Sequence, residues 1–269
     1  MPELPEVETV VRSLREVLPG RTAVRARCFS KLVTRGGLAR TAAALAGRKV
    51  TGIRRRGKQI FIELDRGVLY VHLGMTGKLL WNAGHIWNAG RGKYMRAVVE
   101  FDRGTLVYDD IRQFGRFRFF EKLPAALESD APDALSATFE EFRDRLRLHR
   151  RSIKPLLLDQ SFLAGVGNIY ADEALFAARI HPRSAAGRLS DARARRLFDA
   201  LGQVLRAAIE HGGSSISDYV DSNGNRGWFQ QSHCVYGREG QPCPVCGTPI
   251  RRMVLAQRSA HYCPRCQRV

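Results

Sequence analysis

Near the end of the 269-residue chain, Cys243-Pro-Val-Cys246 and Cys263-Pro-Arg-Cys266 stand sixteen residues apart. Four thiolates at this spacing can wrap one tetrahedral Zn²⁺, each C-P-x-C folding into a tight knuckle. Four sulfur ligands leave no open coordination position, so one Zn²⁺ per chain acts as a structural clip and not as a Lewis acid. The residues between the pairs alternate as a β-hairpin does, and Arg251, Arg252, Arg258 and Arg265 make the module basic. Such a hairpin can lie against phosphates or enter a groove; a solvated run of charge is the plainer alternative. Cys28 and Cys234 stand alone, without an activating neighbour in sequence, and read as inert small residues.

A second concentration of chemistry lies at the start, Met1-Pro2-Glu3-Leu4-Pro5-Glu6. Removal of Met1 makes Pro2 an N-terminal secondary amine, which can attack a sugar C1′ and form an iminium. Glu3 beside it can give and take a proton. Alone the signal is weak, because most chains that begin Met-Pro simply begin there. A third feature is central. IKPLLLDQSFLAGVGNIYADEALF reads as helix, glycine turn, helix, with Asn168 opening the second helix and Lys154 preceding the first. The free N–H groups of a helix N-terminus suit a phosphate, and Asn168 also suits an N-cap.

The elements that must carry these residues follow from pattern. Residues 4–18 place Leu4, Val7, Val10, Val11, Leu14 and Leu18 at helical spacing, with Pro19-Gly20 as the stop. From about 22 to 120, short runs such as QIFIEL, VLYVHL, AVVEF and RFRFF between glycine-rich breaks predict antiparallel strands. WNAG occurs at 81–84 and again at 87–90, a duplication too short to define a repeat fold. A Pro/Ala-rich stretch reads as a linker, and helices dominate after it. One of them is announced by a Thr138/Glu141 capping box, and a long one is expected at about 190–211. The expected class is α+β in two domains: an N-terminal helix with an antiparallel β-sandwich, then a helical domain ending in a four-cysteine zinc-finger hairpin. The expected divisions are 1–122, a linker at 123–135, 136–235 with a polar loop at 214–235, and 236–269.

Forty-four basic residues against 26 acidic ones give a net charge of +18. That excess calls for a polyanion, nucleic acid first and an anionic membrane surface second. No apolar run approaches the roughly 20 residues of a membrane span. The acidic start is unlike a signal peptide. A cytoplasmic protein in a reducing compartment is expected, with cysteines used for metal and not for disulfides.

The start MPELPEVETV closely resembles that of the formamidopyrimidine-DNA glycosylases of the Fpg/Nei family. The resemblance continues through RGKQIFIEL, HLGMTGKL, RQFG, IKPLLLD, GVGNIYADEALF, Gly212-Gly213, VYGREGQPC and AQRSAHYCPRC, nearly the whole chain in the family's order. It implies an N-terminal helix leading into a β-sandwich, a helix-two-turn-helix (H2TH) domain and a zinc finger. It also implies a bifunctional glycosylase and abasic-site (AP) lyase of base excision repair, acting on oxidised or ring-opened purines (8-oxoguanine, formamidopyrimidines) by a Schiff base and β,δ-elimination. The partner it implies is damaged double-stranded DNA, met by a monomer at a bacterial nucleoid, with no membrane involved. By resemblance Pro2 is the nucleophile, Glu3 the acid that helps open the sugar ring, Glu6 a site carboxylate, and Lys58 a lysine near the damaged nucleotide. His72, Asn168 and Arg258 match phosphate contacts, and Lys154 is counted with them as a DNA-binding candidate. Gly74-Met75, with Arg112 and Phe114, match the residues that fill the gap left by an extruded base, where an apolar wedge and an arginine donor are physically apt. Without the resemblance, core packing is the default for Met75 and Phe114.

The chain departs from the family where a Lys-His-x-His segment is common: here it reads Lys93-Tyr94-Met95-Arg96, and Ile111 and Gln113 flank Arg112. These changes bear on the wedge and on opposite-base preference, not on the nucleophile. Two other readings stand beside this one. A Nei-like enzyme for oxidised pyrimidines is disfavoured by the PELPEV start. A non-catalytic binder of damaged DNA is disfavoured by the intact Pro2, Glu3 and Lys58. The charge yields a first expectation: affinity for undamaged duplex falls with salt at a log–log slope of about −0.9 per phosphate neutralised. Titration across a salt series checks it, and a flat dependence contradicts the nucleic-acid assignment.

Overall fold

The structure, a computed structural model, describes all residues except 36, 85–91, 129, 217 and 269. The second WNAG copy lies outside the described residues. The described chain forms two compact units, Met1–Ser129 with His211–Trp228, and Asp130–Glu210 with Phe229–Val269.

The first unit is organised by its opening helix. In α1 (Leu4–Arg15) a proline sits in the first turn, where its missing N–H costs nothing. Val7, Val10, Val11 and Leu14 share one face and are fully buried. The helix lies against β2 (Val50–Arg56) and β3 (Gln59–Leu64). These strands belong to an antiparallel sheet of order β2-β3-β4-β8, with β4 (Val68–His72) and β8 (Arg116–Phe120). A second antiparallel sheet has the order β1-β6-β7-β5, from β1 (Ala23–Cys28), β5 (Gly77–Asn82), β6 (Met95–Phe101) and β7 (Thr105–Asp110). One core takes Ile60, Ile62, Leu69 and Val71 from the first sheet, Leu79, Val99, Leu106 and Tyr108 from the second, and the apolar face of α1. Val107, between Leu106 and Tyr108, points the other way and joins Met95 and Val98, as strand alternation requires. The Glu8 carboxylate fastens helix to sheet: it accepts from Arg55 Nε at 2.8 Å and from Arg12 Nε at 3.1 Å.

The strand-only expectation for 22–120 needs one correction. Two short helices, α2 (Lys31–Thr34) and α3 (Leu38–Leu45), interrupt it. The alanine-rich LARTAAAL favours helix, and the Ser30 hydroxyl caps α2 by accepting from Val33 N–H.

The sequence assigns the polar loop to the helical domain, but residues 211–228 pack within the first unit. Ser214 N–H donates to Glu6 Oε1 at 2.7 Å, Tyr219 OH donates to Glu6 O at 3.2 Å, and Trp81 N–H donates to Ser222 O at 2.8 Å. Tyr219 is buried in the sandwich core.

The second unit comprises α4 (Phe139–Arg147), α5 (Ile153–Leu157), α6 (Asn168–Ala177), α7 (Asp191–Glu210) and the hairpin β9 (Arg251–Leu255) with β10 (Arg258–Tyr262). The Thr138/Glu141 capping box forms in both directions. Glu173 on α6 accepts from the N–H groups of Cys234, Val235 and Tyr236 at 2.8–3.0 Å, which fixes the chain where it enters the zinc module. Burial raises the Glu173 carboxyl above its ordinary value, against the pull of these three donors.

Gly213 has φ +82, and a Cβ there would stand 2.8 Å from Glu6 Oε1. Gly213→Ala is therefore expected to cost about 1–3 kcal/mol and to speed proteolytic cleavage within 211–228. Denaturant melts and mass-mapped limited proteolysis check this. Unchanged cleavage contradicts the docking of this segment on Glu6.

Candidate active site and nucleic-acid interface

In the first unit the start of α1 fixes the candidate nucleophile. Pro2 and Glu3 are buried, while Met1 is about half exposed. Glu6, one turn on, takes Glu3 N–H on Oε2 at 2.7 Å and Ser214 N–H on Oε1 at 2.7 Å. One carboxylate thus holds the backbone next to Pro2 and the segment carrying Ser214. Lys58 occupies the two-residue turn Gly57-Lys58 between β2 and β3, since Arg56 pairs with Gln59. It is buried, and its neighbour Gln59 pairs with His72 on β4.

His72 is half-buried, and its Nδ1 accepts Gly74 N–H at 3.0 Å. Burial, then the positive charges of Lys58 and Arg116, pull its pKa down to about 4. At neutral pH the ring is uncharged and carries its proton on Nε2. That makes it a donor suited to a phosphate oxygen.

Met75 is 40% exposed and Phe114 52%, so core packing is excluded for both. Arg112 is exposed too, with its guanidinium 4.6 Å from the centre of the Phe114 ring. The turn carrying Met75, between β4 and β5, and that carrying Phe114, between β7 and β8, come very close together. A Cβ on Gly74 would lie 2.6 Å from Gly115 N, and one on Gly115 would lie 1.7 Å from the Tyr108 oxygen. Of the lone cysteines, Cys28 is buried, which pushes its thiol up to about 12, and the half-buried Cys234 is raised as well; neither is a nucleophile at neutral pH.

In the second unit the structure corrects two sequence expectations. Gly167, not Asn168, is the N-cap of α6; Asn168 is its first residue, and its Nδ2 donates to Ser259 Oγ at 3.2 Å. Lys154 cannot meet DNA directly. It lies inside α5 with no exposed surface, its Nζ 2.5 Å from Asp172 Oδ1 and hydrogen-bonded to Ser259 O. The other Asp172 oxygen accepts His261 N–H at 2.9 Å. A buried carboxylate would be costly alone; here an ammonium and a backbone donor satisfy it, and the group holds β10 against the helix pair. Arg258, exposed, opens β10 just after the turn Ala256-Gln257. Both turn residues have positive φ, 46° and 60°, without being glycine.

The four predicted ligands, Cys243, Cys246, Cys263 and Cys266, converge, with their sulfurs within 4.8 Å of one another. Two separations are 3.9 and 3.5 Å. Tetrahedral zinc with Zn–S bonds of about 2.3 Å requires roughly 3.8 Å. Val245 N–H points at Cys243 Sγ and Cys266 N–H at Cys263 Sγ, so backbone donors are ready to stabilise thiolate charge. The donor set fits a closed zinc site.

Sequence reasoning missed Asp110, Asp172, Glu173 and Ser214. The adjacent carboxylates Asp172-Glu173 inside the apolar run NIYADEALF were a usable signal, because a carboxylate on a buried helix face demands partners.

Comparison with known proteins bears on all of these groups. Residues 1–117 match the family model described as the formamidopyrimidine-DNA glycosylase N-terminal domain. Residues 130–220 match that of the H2TH domain, and 240–269 the zinc finger found in FPG and IleRS. The chain is 51% identical over 270 residues to the formamidopyrimidine-DNA glycosylase of Solibacter usitatus, covering 100% of both chains. It is 43% identical over 278 residues to that of Thermus thermophilus, covering 99% of this chain and 98% of the other. Among solved structures, Lactococcus lactis Fpg bound to abasic-site DNA superimposes with a TM-score of 0.91 at 35% identity over the full length of both chains. A point mutant of that enzyme in complex with Fapy-dG DNA gives the same values.

The zinc module yields a direct expectation. A chelator-free preparation carries one Zn²⁺ per chain, and Cys263→Ser releases it. DNA binding then weakens while the β-sandwich keeps its amide protection from exchange. Elemental analysis and hydrogen exchange read both, and a freshly purified chain without zinc contradicts the assignment.

Proposed function

The chain belongs to the formamidopyrimidine-DNA glycosylase family, and on that premise we propose that it removes 8-oxoguanine and formamidopyrimidines from duplex DNA with Pro2 as nucleophile. It is a DNA glycosylase and AP lyase of base excision repair, with a structural zinc. In this reading it works as a monomer in the cytoplasm, on nucleoid DNA. Among the described residues no helix is long and apolar enough to cross a membrane.

The observation that carries the reading is the anchorage of the N-terminus. Glu6 holds Glu3 N–H at 2.7 Å inside a buried first turn, so loss of Met1 leaves a secondary amine on a fixed support and not on a frayed end. The neutral amine attacks C1′ and gives up its proton, and the base leaves with the electron pair of the glycosidic bond and takes up a proton in exchange. As the base departs, Glu3 delivers a proton to the sugar ring oxygen, which opens the ring and leaves an iminium between the Pro2 nitrogen and C1′. The cation acidifies the C2′ proton. Its loss expels the 3′ phosphate, and a second elimination expels the 5′ phosphate. Water then hydrolyses the iminium and returns the amine. An α-amino group titrates near pH 8; a cation close to it would favour its neutral form, and this reading gives that role to Lys58.

The remaining groups hold the DNA. His72 as an uncharged donor, Arg258 on the zinc hairpin and the N-terminus of α6 at Asn168 take phosphates. Met75, Arg112 and Phe114 fill the space vacated by the flipped nucleotide. Lys154 acts from within, through Asp172 and Ser259.

Borohydride reduction during turnover, followed by peptide mapping, is expected to find the DNA adduct on Pro2. Glu3→Gln is expected to slow base release by roughly 100-fold or more while sparing cleavage at a ready-made abasic site. An adduct on Lys58 or another lysine, or strand cleavage without any adduct, overturns the mechanism.

A further inference from the structure

The wedge side chains stand on separate turns: Met75 between β4 and β5, Arg112 and Phe114 between β7 and β8. Both turns meet at Asp110, the last residue of β7, which has no exposed surface. Its Oδ1 accepts the Thr76 hydroxyl proton at 2.6 Å. Its Oδ2 accepts Gly115 N–H at 2.9 Å and lies 3.4 Å from the Tyr108 hydroxyl, which also reaches His72 O at 3.1 Å. Thr76 Oγ1 in turn accepts Arg112 N–H at 3.0 Å. The Met75 turn is therefore bonded through Thr76, and the Arg112–Phe114 turn through Gly115 and again through Thr76, to a single carboxylate.

Tyr94 and Arg96, which flank the start of β6, brace the same residue. Asp110 N–H donates to Tyr94 O at 3.0 Å, and Asp110 O accepts from Arg96 Nε at 2.7 Å. Gln113, held at φ +56, accepts the Ser30 hydroxyl proton at 2.7 Å, which ties the wedge turn to the cap of α2.

We propose that Asp110 is the positioning residue of the wedge, holding the Met75 and Arg112–Phe114 turns at a fixed spacing before DNA is met. It does not touch DNA. Side chains that must be ordered during binding draw that cost from the energy available to open the stack, and a preformed wedge avoids it. The inference rests on the assignment of Met75, Arg112 and Phe114 to gap filling.

Asp110→Asn keeps the shape but offers one side-chain acceptor oxygen where the carboxylate offers two, so either the Thr76 hydroxyl proton or the Gly115 N–H loses its acceptor. Thr76→Val removes the link to Arg112 without placing a new polar group, and it carries the test if Asp110→Asn fails to fold. The substrate is a duplex with 2-aminopurine beside 8-oxoguanine, whose fluorescence rises as the stack opens. The comparison substrate is a single-stranded abasic oligonucleotide, which has no gap to fill. In both variants the fluorescence step and base excision are expected to slow together by roughly 10- to 100-fold, while borohydride trapping on the single strand stays near the wild-type rate. A wild-type rise reproduced at full rate by folded variants overturns the inference alone. A parallel loss of trapping on the single strand also overturns it, because the defect is then not in the wedge. A wild-type chain that gives no rise overturns the gap-filling assignment, and the inference with it.

Discussion

The Glu6 carboxylate accepts the N–H of Glu3 on one oxygen and the N–H of Ser214 on the other, both at 2.7 Å. It is buried, so neither donor has water as a substitute. Truncating the acceptor leaves two donors unsatisfied, at a cost of about 1–3 kcal/mol each. This one group holds the backbone next to Pro2, the proposed nucleophile, and docks the segment carrying Ser214 against the sandwich. The lack of a side chain on Gly213 and the Tyr219 hydroxyl bond to Glu6 O belong to the same arrangement.

The same device recurs wherever positioning matters. Asp110 joins the turns that carry Met75 and Phe114, Asp172 joins the helix pair to the zinc hairpin through Lys154 and His261, and Glu173 gathers three consecutive N–H groups at the entry to the module. In a chain of net charge +18, cations outnumber the carboxylates that could pair with them. Buried carboxylates do the internal organising. Lys154 shows the division: a lysine with no exposed surface is committed to the protein, whatever its place in a motif.

Much of this was legible in the sequence. The periodicity of α1, the Thr138/Glu141 box and the paired C-P-x-C knuckles are local signals, and each forms as its residue types dictate. Two kinds of feature were not legible. The short helices α2 and α3 sit among strands, where an alanine-rich eight-residue segment has too little length to establish a period. The docking of 211–228, the burial of Lys154 and the partners of Asp110 depend on contacts distant in sequence, which no local pattern encodes. The exposure of Met75 and Phe114 belongs here as well. Apolar type alone favours the core, and only the turns that carry them face them outward.

The central claim is that Glu6 couples the nucleophile's support to the segment 211–228. Amide hydrogen exchange at Glu3 and Ser214 in Glu6→Gln, read beside the rate of borohydride trapping on abasic DNA, tests it most directly. The amide side chain can accept on one atom only, so at least one of the two N–H groups is expected to lose protection, and trapping is expected to slow with it. Full protection at both positions, or loss of protection with trapping at the wild-type rate, would contradict the account.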